Sequence, residues 1–310
     1  MTLVASYDEI GPDRIRRNPG GNGAPASTNY RFFMATPETP AAPSAFLAEY
    51  PPGDNSTAHY HVVDQFQILV KGSGQLGRHD VAPYYVHFSR AYTPYGPLHA
   101  DAKTGWTFMT LRTRYDAGAQ RLPEKLDQLK QMPDRKPWQV TTQARFPEAG
   151  AGVIFQDMPE VRDDRGLYAC SFTMAPNARS IAPAPSYGDG QYIVALSGSL
   201  MHGGREQQAL TVIFVKPDEP AFDLRVGPQG AQGLILNFPQ VAPRVAEVAA
   251  APAGGFKKWQ CVLCAFYYDE ELGLPDEGIA PGTRWADVPG TWTCPDCAAG
   301  KSDFEMVEIG

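Results

Sequence analysis

One internal repeat constrains the fold of most of this chain. A shift of 126 residues lays Gln65 on Gln191, Gly72 on Gly198, Ser73 on Ser199, Gly77 on Gly203 and Pro94 on Pro220. In the same frame Phe66, Ile68 and Val70 fall on Tyr192, Val194 and Leu196. A constant offset across separate clusters implies two copies of one structural unit. The unit is a β unit, because its apolar residues alternate with a period of two. Further β-rich runs at 30–34, 45–50, 84–88 and 106–111 are punctuated by turn residues, and the chain holds 30 glycines and 29 prolines. Such usage suits many short strands joined by turns, so the expected class is mainly β.

Polar chemistry is concentrated in the first copy. If residues 53–72 form one strand, His59, His61, Gln65 and Gln67 share a face, while Tyr60, Asp64 and Phe66 take the other. Five residues separate Gly53 from His59, one separates His59 from His61, three lead to Gln65 and six to Gly72. Pro94, Gly96 and His99 follow about thirty residues later. This two-part pattern resembles the signature of the cupin superfamily, with Gln65 where that family usually has an acid, and Phe88 and Lys103 where it usually has Gly and Asn. The resemblance implies two double-stranded β-helix barrels and one divalent metal held in the first by His59, His61 and His99. Gln65 is either a fourth ligand or a structural hydrogen-bonding residue; the second copy keeps it as Gln191 although Pro185, Tyr187 and Arg225 stand in place of the three histidines. The second barrel is therefore expected to lack a metal. Gln67, Tyr85, His87, Trp106 and Phe108 are candidate lining residues of a substrate pocket, and no residue is assigned a catalytic acid or base role. Cys170 reads as a buried strand residue.

The last 55 residues carry a different signal. Cys261 and Cys264, then Cys294 and Cys297, form two Cys-x-x-Cys knuckles, and four thiolates in this arrangement close a tetrahedral site for iron or zinc. The knuckles, Trp259, Trp292 and the acidic stretch between them resemble rubredoxin. That resemblance implies one iron and transfer of one electron at a time. Ala265 and Ala298 stand where a glycine commonly follows each knuckle.

The formal charge is −7, and residues 256–310 account for most of it, with ten acids against four bases. The remainder shows no basic stripe, so a nucleic acid partner is not expected. The opening residues lack the apolar run of a signal peptide and no stretch is long enough to span a membrane, which makes a cytoplasmic protein the expectation. Leu122, Leu126, Leu129 and Met132 recur at helical spacing and predict one helix within 118–135, ending at Pro133. The expected organisation is a metal-binding barrel with an irregular N-terminal arm at 1–117, a helical connection at 118–145, a degenerate barrel at 146–247, a linker at 248–255 and a rubredoxin fold at 256–310.

Three neutral imidazoles would leave a divalent charge open to a small anionic organic substrate. With dioxygen as co-substrate and a fused electron carrier, the leading expectation is a non-haem oxygenase, with iron first among several possible transition metals, fed by an external rubredoxin reductase. The alternatives are a non-catalytic redox sensor resembling pirin and a zinc cupin isomerase.

Overall fold

The computed structural model describes residues 2–132, 135–148, 150, 152–185, 188–240, 256–261, 263–264, 266–301 and 306–309, the last four by backbone alone. Its strands are antiparallel, and the repeat is realised as two barrels. In the first, Gln65–Gly72 lies between Tyr85–Ser89 and Trp106–Arg112, in a sheet that continues through Ser44–Tyr50, Ser27–Phe33 and Ile15–Asn18. A sheet of Asn55–Ser56, Leu98–Ala100, Gly74–Leu76 and His79–Val81 lies apart from it. In the second barrel, Gln191–His202 holds the matching central place between Thr211–Val215 and Asp223–Asn237. Gly72 and Gly198, matched by the repeat, both take positive φ (79° and 70°), and a Cβ on either would collide with a backbone carbonyl, that of Gly105 or Gly230. Glycine alone meets both demands.

Alternation decides which face packs where. Phe66, Ile68, Val86, Phe88, Met109 and Leu111 turn toward the second barrel and join Tyr192, Val194, Phe214, Leu234 and Leu236 in one apolar layer. Burying each large side chain contributes about 1.5–3 kcal/mol, which holds the barrels together. The Tyr192 hydroxyl crosses this layer and donates to the Arg112 carbonyl at 2.6 Å, with the Ser44 carbonyl at 3.0 Å. On the opposite face of the same sheet, Gln67 pairs across strands with His87 and Thr110, so these residues line the first barrel's interior. The second barrel is filled by Phe172, Met174, Ile193, Ile213, Leu224 and Ile235. Cys170 is buried among them, and burial pushes its thiol up to about 12.

The barrels exchange edge strands, which corrects the division at residues 117 and 145. Leu3–Ser6, expected within an irregular arm of the first barrel, pairs with Thr211–Val215 of the second. Gln139–Gln143, expected in a helical connection, pairs with Tyr85–Ser89 of the first. The helix itself is short, Leu126–Lys130, because Gln120–Arg121 is drawn into a strand pair with His59–Tyr60 and Pro123 has no N–H to extend a helix. Pro133, Ala265 and the linker at 248–255 lie outside the described residues.

The apolar side chains of that connection also serve another contact than the one expected. Leu122 and Leu129 join Ala58 and Tyr60 in one cluster with Cys261, Leu263, Cys264, Phe266 and Trp292. The four-cysteine domain is therefore packed on the first barrel. Arg78 reinforces the junction, pairing with Asp296 at 3.1 Å and lying 5.4 Å from the Phe266 ring centroid. Among the described residues, no helix is long and apolar enough to cross a membrane.

Candidate functional site

Residues 53–72 do not form one strand. His59–Tyr60 is a two-residue strand, and the next begins at Gln65. Alternation at the first strand nevertheless holds: His59 faces a cavity in the barrel, while Ala58 and Tyr60 turn to the four-cysteine domain. His59 and His61 are both buried, with ring centroids 5.4 Å apart.

Their hydrogen bonds fix the tautomers. His59 Nδ1 lies 2.9 Å from the Thr57 carbonyl, which can only accept, so the proton is on Nδ1 and the Nε2 lone pair faces the Tyr95 hydroxyl at 3.1 Å. His61 Nδ1 lies 2.8 Å from Asp116 Oδ2 and likewise carries the proton. Arg112 Nη2 lies almost equally far from both ring nitrogens of His61, 3.2 Å from Nδ1 and 3.4 Å from Nε2, and so does not lie along the Nε2 lone pair. Burial, then the neighbouring His61, lowers His59 to about 3; burial, then Arg112, lowers His61 to about 4. Both rings are neutral at neutral pH.

Arg112, which the sequence pattern did not single out, occupies the centre. It donates to Gln65 Oε1 from Nε (3.1 Å) and Nη2 (2.9 Å) and pairs through Nη1 with Asp116 at 3.0 Å. Asp116 also accepts from the backbone N–H of Val62 and Gly118. Burial would raise its carboxyl, but the His61 N–H and the Arg112 charge outweigh that and hold it at about 2. Gln65 completes the network by donating from Nε2 to the Tyr95 hydroxyl at 2.6 Å. Its repeat partner Gln191 donates to the Tyr168 hydroxyl at the same 2.6 Å, so both copies use glutamine as a bridge to a tyrosine.

His99 is not brought to His59 and His61. It is exposed, and its Nδ1 meets Asn55 Oδ1 at 2.6 Å. The reason is local: Leu98 and Ala100 are buried in a cluster with Trp106 and Phe108, and alternation then turns the residue between them outward. The sequence Leu-His-Ala carried that signal. Arg112 was also within reach, since it continues the alternation of Phe108 and Thr110.

The cavity that His59 and His61 line has a volume of about 280 Å³. Of the expected pocket residues, Gln67 and Trp106 line it. His87 instead donates or accepts at Thr141 Oγ1 (2.9 Å) and packs against Tyr95, Phe108 is in the apolar cluster, and Tyr85 packs on that cluster. Arg112, Arg121, Tyr50 and Phe46 are lining residues that were not foreseen.

In the C-terminal domain Cys261, Cys264, Cys294 and Cys297 are all buried, and their sulfurs lie within 4.8 Å of one another. The sulfurs of Cys264 and Cys294 are 3.4 Å apart. Strands Lys258–Cys261, Tyr267–Asp269 and Met306–Ile309 form a three-stranded sheet behind them. A family model for rubredoxin matches residues 258–304. Rubredoxin-2 of Pseudomonas aeruginosa is 68% identical over 53 residues, 17% of this chain and 96% of its own length. Rubredoxin-1 of Alcanivorax borkumensis is 70% identical over 53 residues, 98% of its own length. The C-terminal domain belongs to the rubredoxin family. Its four buried thiols fit one iron, which supplies one-electron redox chemistry.

The barrels have solved counterparts. A candidate dioxygenase from Nostoc punctiforme aligns with a TM-score of 0.56 at 10% identity, covering 82% of this chain and 88% of its own. The bacterial pirin YhhW of Escherichia coli in complex with nickel(II) aligns at 0.50 and 10% identity, covering 78% of this chain and 100% of its own. An oxalate decarboxylase of Lactobacillus farciminis aligns at 0.50 and 13% identity, covering 76% of this chain and 86% of its own. The two barrels thus have the cupin fold, joined in one chain to a rubredoxin.

The cupin fold suggests a metal at the first barrel's centre, and the donor set present does not fit one. His99 is outside, the Nε2 lone pair of His59 faces the Tyr95 hydroxyl, the Arg112 guanidinium stands against His61, and the Gln65 oxygen is taken by Arg112. A divalent ion beside His61 would also be repelled by the Arg112 guanidinium next to it, whose own counter-charge is Asp116. Among the described residues, the four cysteines are the group of His, Cys, Asp or Glu side chains arranged to hold a metal.

Proposed function

We propose that this chain is an oxidoreductase whose first barrel binds a small organic anion and whose rubredoxin exchanges single electrons with the bound molecule. The observation that carries this reading is the position of His59. It faces the cavity while Ala58 and Tyr60, its neighbours in sequence, are packed into the cysteine-bearing core, so one strand separates the two centres. Gln139 ties them further, donating from one Nε2 to the carbonyls of Cys264 (3.1 Å) and Pro94 (3.3 Å), the residue before Tyr95. Exposed Glu271, Asp276, Glu277 and Asp287 offer an acidic surface to a basic external reductase. An oxygenase or a zinc isomerase built on His59, His61 and His99 is not part of this proposal, because that ligand set is not assembled.

The test uses the full iron-loaded chain, reduced and mixed anaerobically with a small quinone carboxylate while the visible absorption of the ferric site is followed. A quinone takes two electrons and two protons, so two reduced chains are oxidised per acceptor. Reoxidation is expected to saturate with acceptor and to be slowed by a redox-inert carboxylate competing for the cavity. A rate indifferent to a saturating competitor would reject electron exchange through the barrel. A second reading, a redox sensor without turnover, is favoured by the closed hydrogen-bond network around His59 and His61, which leaves no catalytic group open. In that case ligand affinity changes with the oxidation state of the iron while the ligand itself is recovered unchanged.

A further inference from the structure

Among the described residues, the cavity of the first barrel is lined by one cation without an ion-pair contact and by two buried acceptor atoms without a donor. Arg112 is offset by Asp116. Arg121, half-buried in the lining, donates from Nη1 to the Gly23 carbonyl (2.8 Å) and Ser56 Oγ (2.9 Å); Glu124 acts on its charge, but among the described residues no carboxylate makes an ion-pair contact with it. Gln67 is 7% exposed, and its Oε1 has no hydrogen-bond partner. Asp54 uses Oδ1 on the Asn55 N–H, while its buried Oδ2 is also unpartnered. An unsatisfied buried acceptor is costly, so a site with these groups selects a ligand that brings donors as well as negative charge. Phe46, Tyr50 and Trp106 complete the wall with aromatic surface. A volume of about 280 Å³ has room for one ring and its substituents, below the usual span of drug-sized pockets.

We propose that the first barrel is a metal-free receptor for a one-ring hydroxy-carboxylate, with Arg121 taking the carboxylate, Gln67 and Asp54 accepting from hydroxyl groups, and the ring lying against the aromatic wall. This rests on the reading of the barrel as an organic-anion site and replaces the metal as its anchor by an arginine. Arg112 acts differently, since it stands against His61, pairs with Asp116 and holds Gln65, which reaches His59 through the Tyr95 hydroxyl.

The experiment is isothermal titration of the full iron-loaded chain with benzoate and with 4-hydroxybenzoate, paired with metal analysis of the same sample. The expected result is one metal per chain, one binding site, and tighter binding of the hydroxylated acid. Arg121→Gln is expected to weaken both acids at least tenfold, and Gln67→Leu to erase the preference for the hydroxylated one while benzoate affinity stays within twofold. His99→Ala is expected to change neither metal content nor affinity. Unchanged hydrogen exchange in the strands Gln65–Gly72 and Trp106–Arg112 separates loss of contact from loss of fold; should Arg121→Gln disturb them, the Gln67→Leu preference decides. A second metal that disappears in His59→Ala, binding indifferent to both substitutions, or no binding of either acid at millimolar concentration would overturn the proposal. Binding that follows these rules but leaves rubredoxin reoxidation unaltered would keep the receptor and reject the electron-exchange reading alone.

Discussion

Replacing Asp116 with asparagine is expected to loosen the first barrel by about 2–5 kcal/mol. The carboxylate is fully buried and accepts from His61 Nδ1, Arg112 Nη1 and the N–H groups of Val62 and Gly118. The Asp116 carboxyl is held down from 3.8 to about 2, which adds stability wherever it is ionised. At about 1.4 kcal/mol per pH unit that amounts to roughly 2 kcal/mol. The upper figure comes from leaving Arg112 buried without its counter-charge, which in buried pairs costs about 3–5 kcal/mol. The sign follows from a lowered folded-state value: the contribution is fully present above the unfolded pKa near 4 and is lost as pH falls from about 4 toward 2. Hydrogen exchange in urea, read on peptides covering Gln65–Gly72 and Trp106–Arg112, isolates the barrel from the rubredoxin. The wild type should lose more protection across that window than Asp116→Asn, which keeps only the loss it shares with the wild type from histidines buried in the neutral form. A loss below about 1 kcal/mol at pH 7, or parallel pH profiles, would refute the assignment of Asp116 as the counter-charge that holds the centre.

Ala298 has a φ of 57°, a left-handed conformation that costs an alanine about 1–2 kcal/mol, so Ala298→Gly should raise the denaturant midpoint for loss of ferric absorption; an unchanged or lower midpoint contradicts this. Glu270 is buried and accepts from Trp259 Nε1, Arg284 and the N–H groups of Lys257 and Trp285. Burial would raise its carboxyl, but these donors hold it at about 2. Glu270→Gln should therefore destabilise the rubredoxin by about 2–4 kcal/mol at pH 7, an effect that fades between pH 4.5 and 2, and equal iron-release rates in variant and wild type at pH 7 would rule it out. Gln139→Ala removes both bonds between Cys264 and Pro94. It should shift the iron's reduction potential and raise exchange in the backbone of 258–261; an unmoved potential would make Gln139 a packing residue without influence on the iron.

The sequence by itself determined the mainly β class, the duplication and the rubredoxin, because each rests on local chemistry: period-two alternation, glycines such as Gly72 and Gly198 that a backbone approach demands, and cysteines spaced to meet on one ion. It also placed His59 inward with Tyr60 opposite. Tertiary structure decided the rest of the site. His99 faces out because Leu98 and Ala100 gain more by burial than one imidazole does, while Arg112 arrives at the centre from a strand more than forty residues away and finds Asp116 and Gln65 there. The exchange of Leu3–Ser6 and Gln139–Gln143 between barrels, and the seating of the rubredoxin on Ala58, Tyr60, Leu122 and Leu129, depend on which apolar surfaces remain open once each barrel has closed. A spacing pattern states which residues are close along the chain, whereas the occupant of a barrel's centre is set by competition among all the strands that surround it.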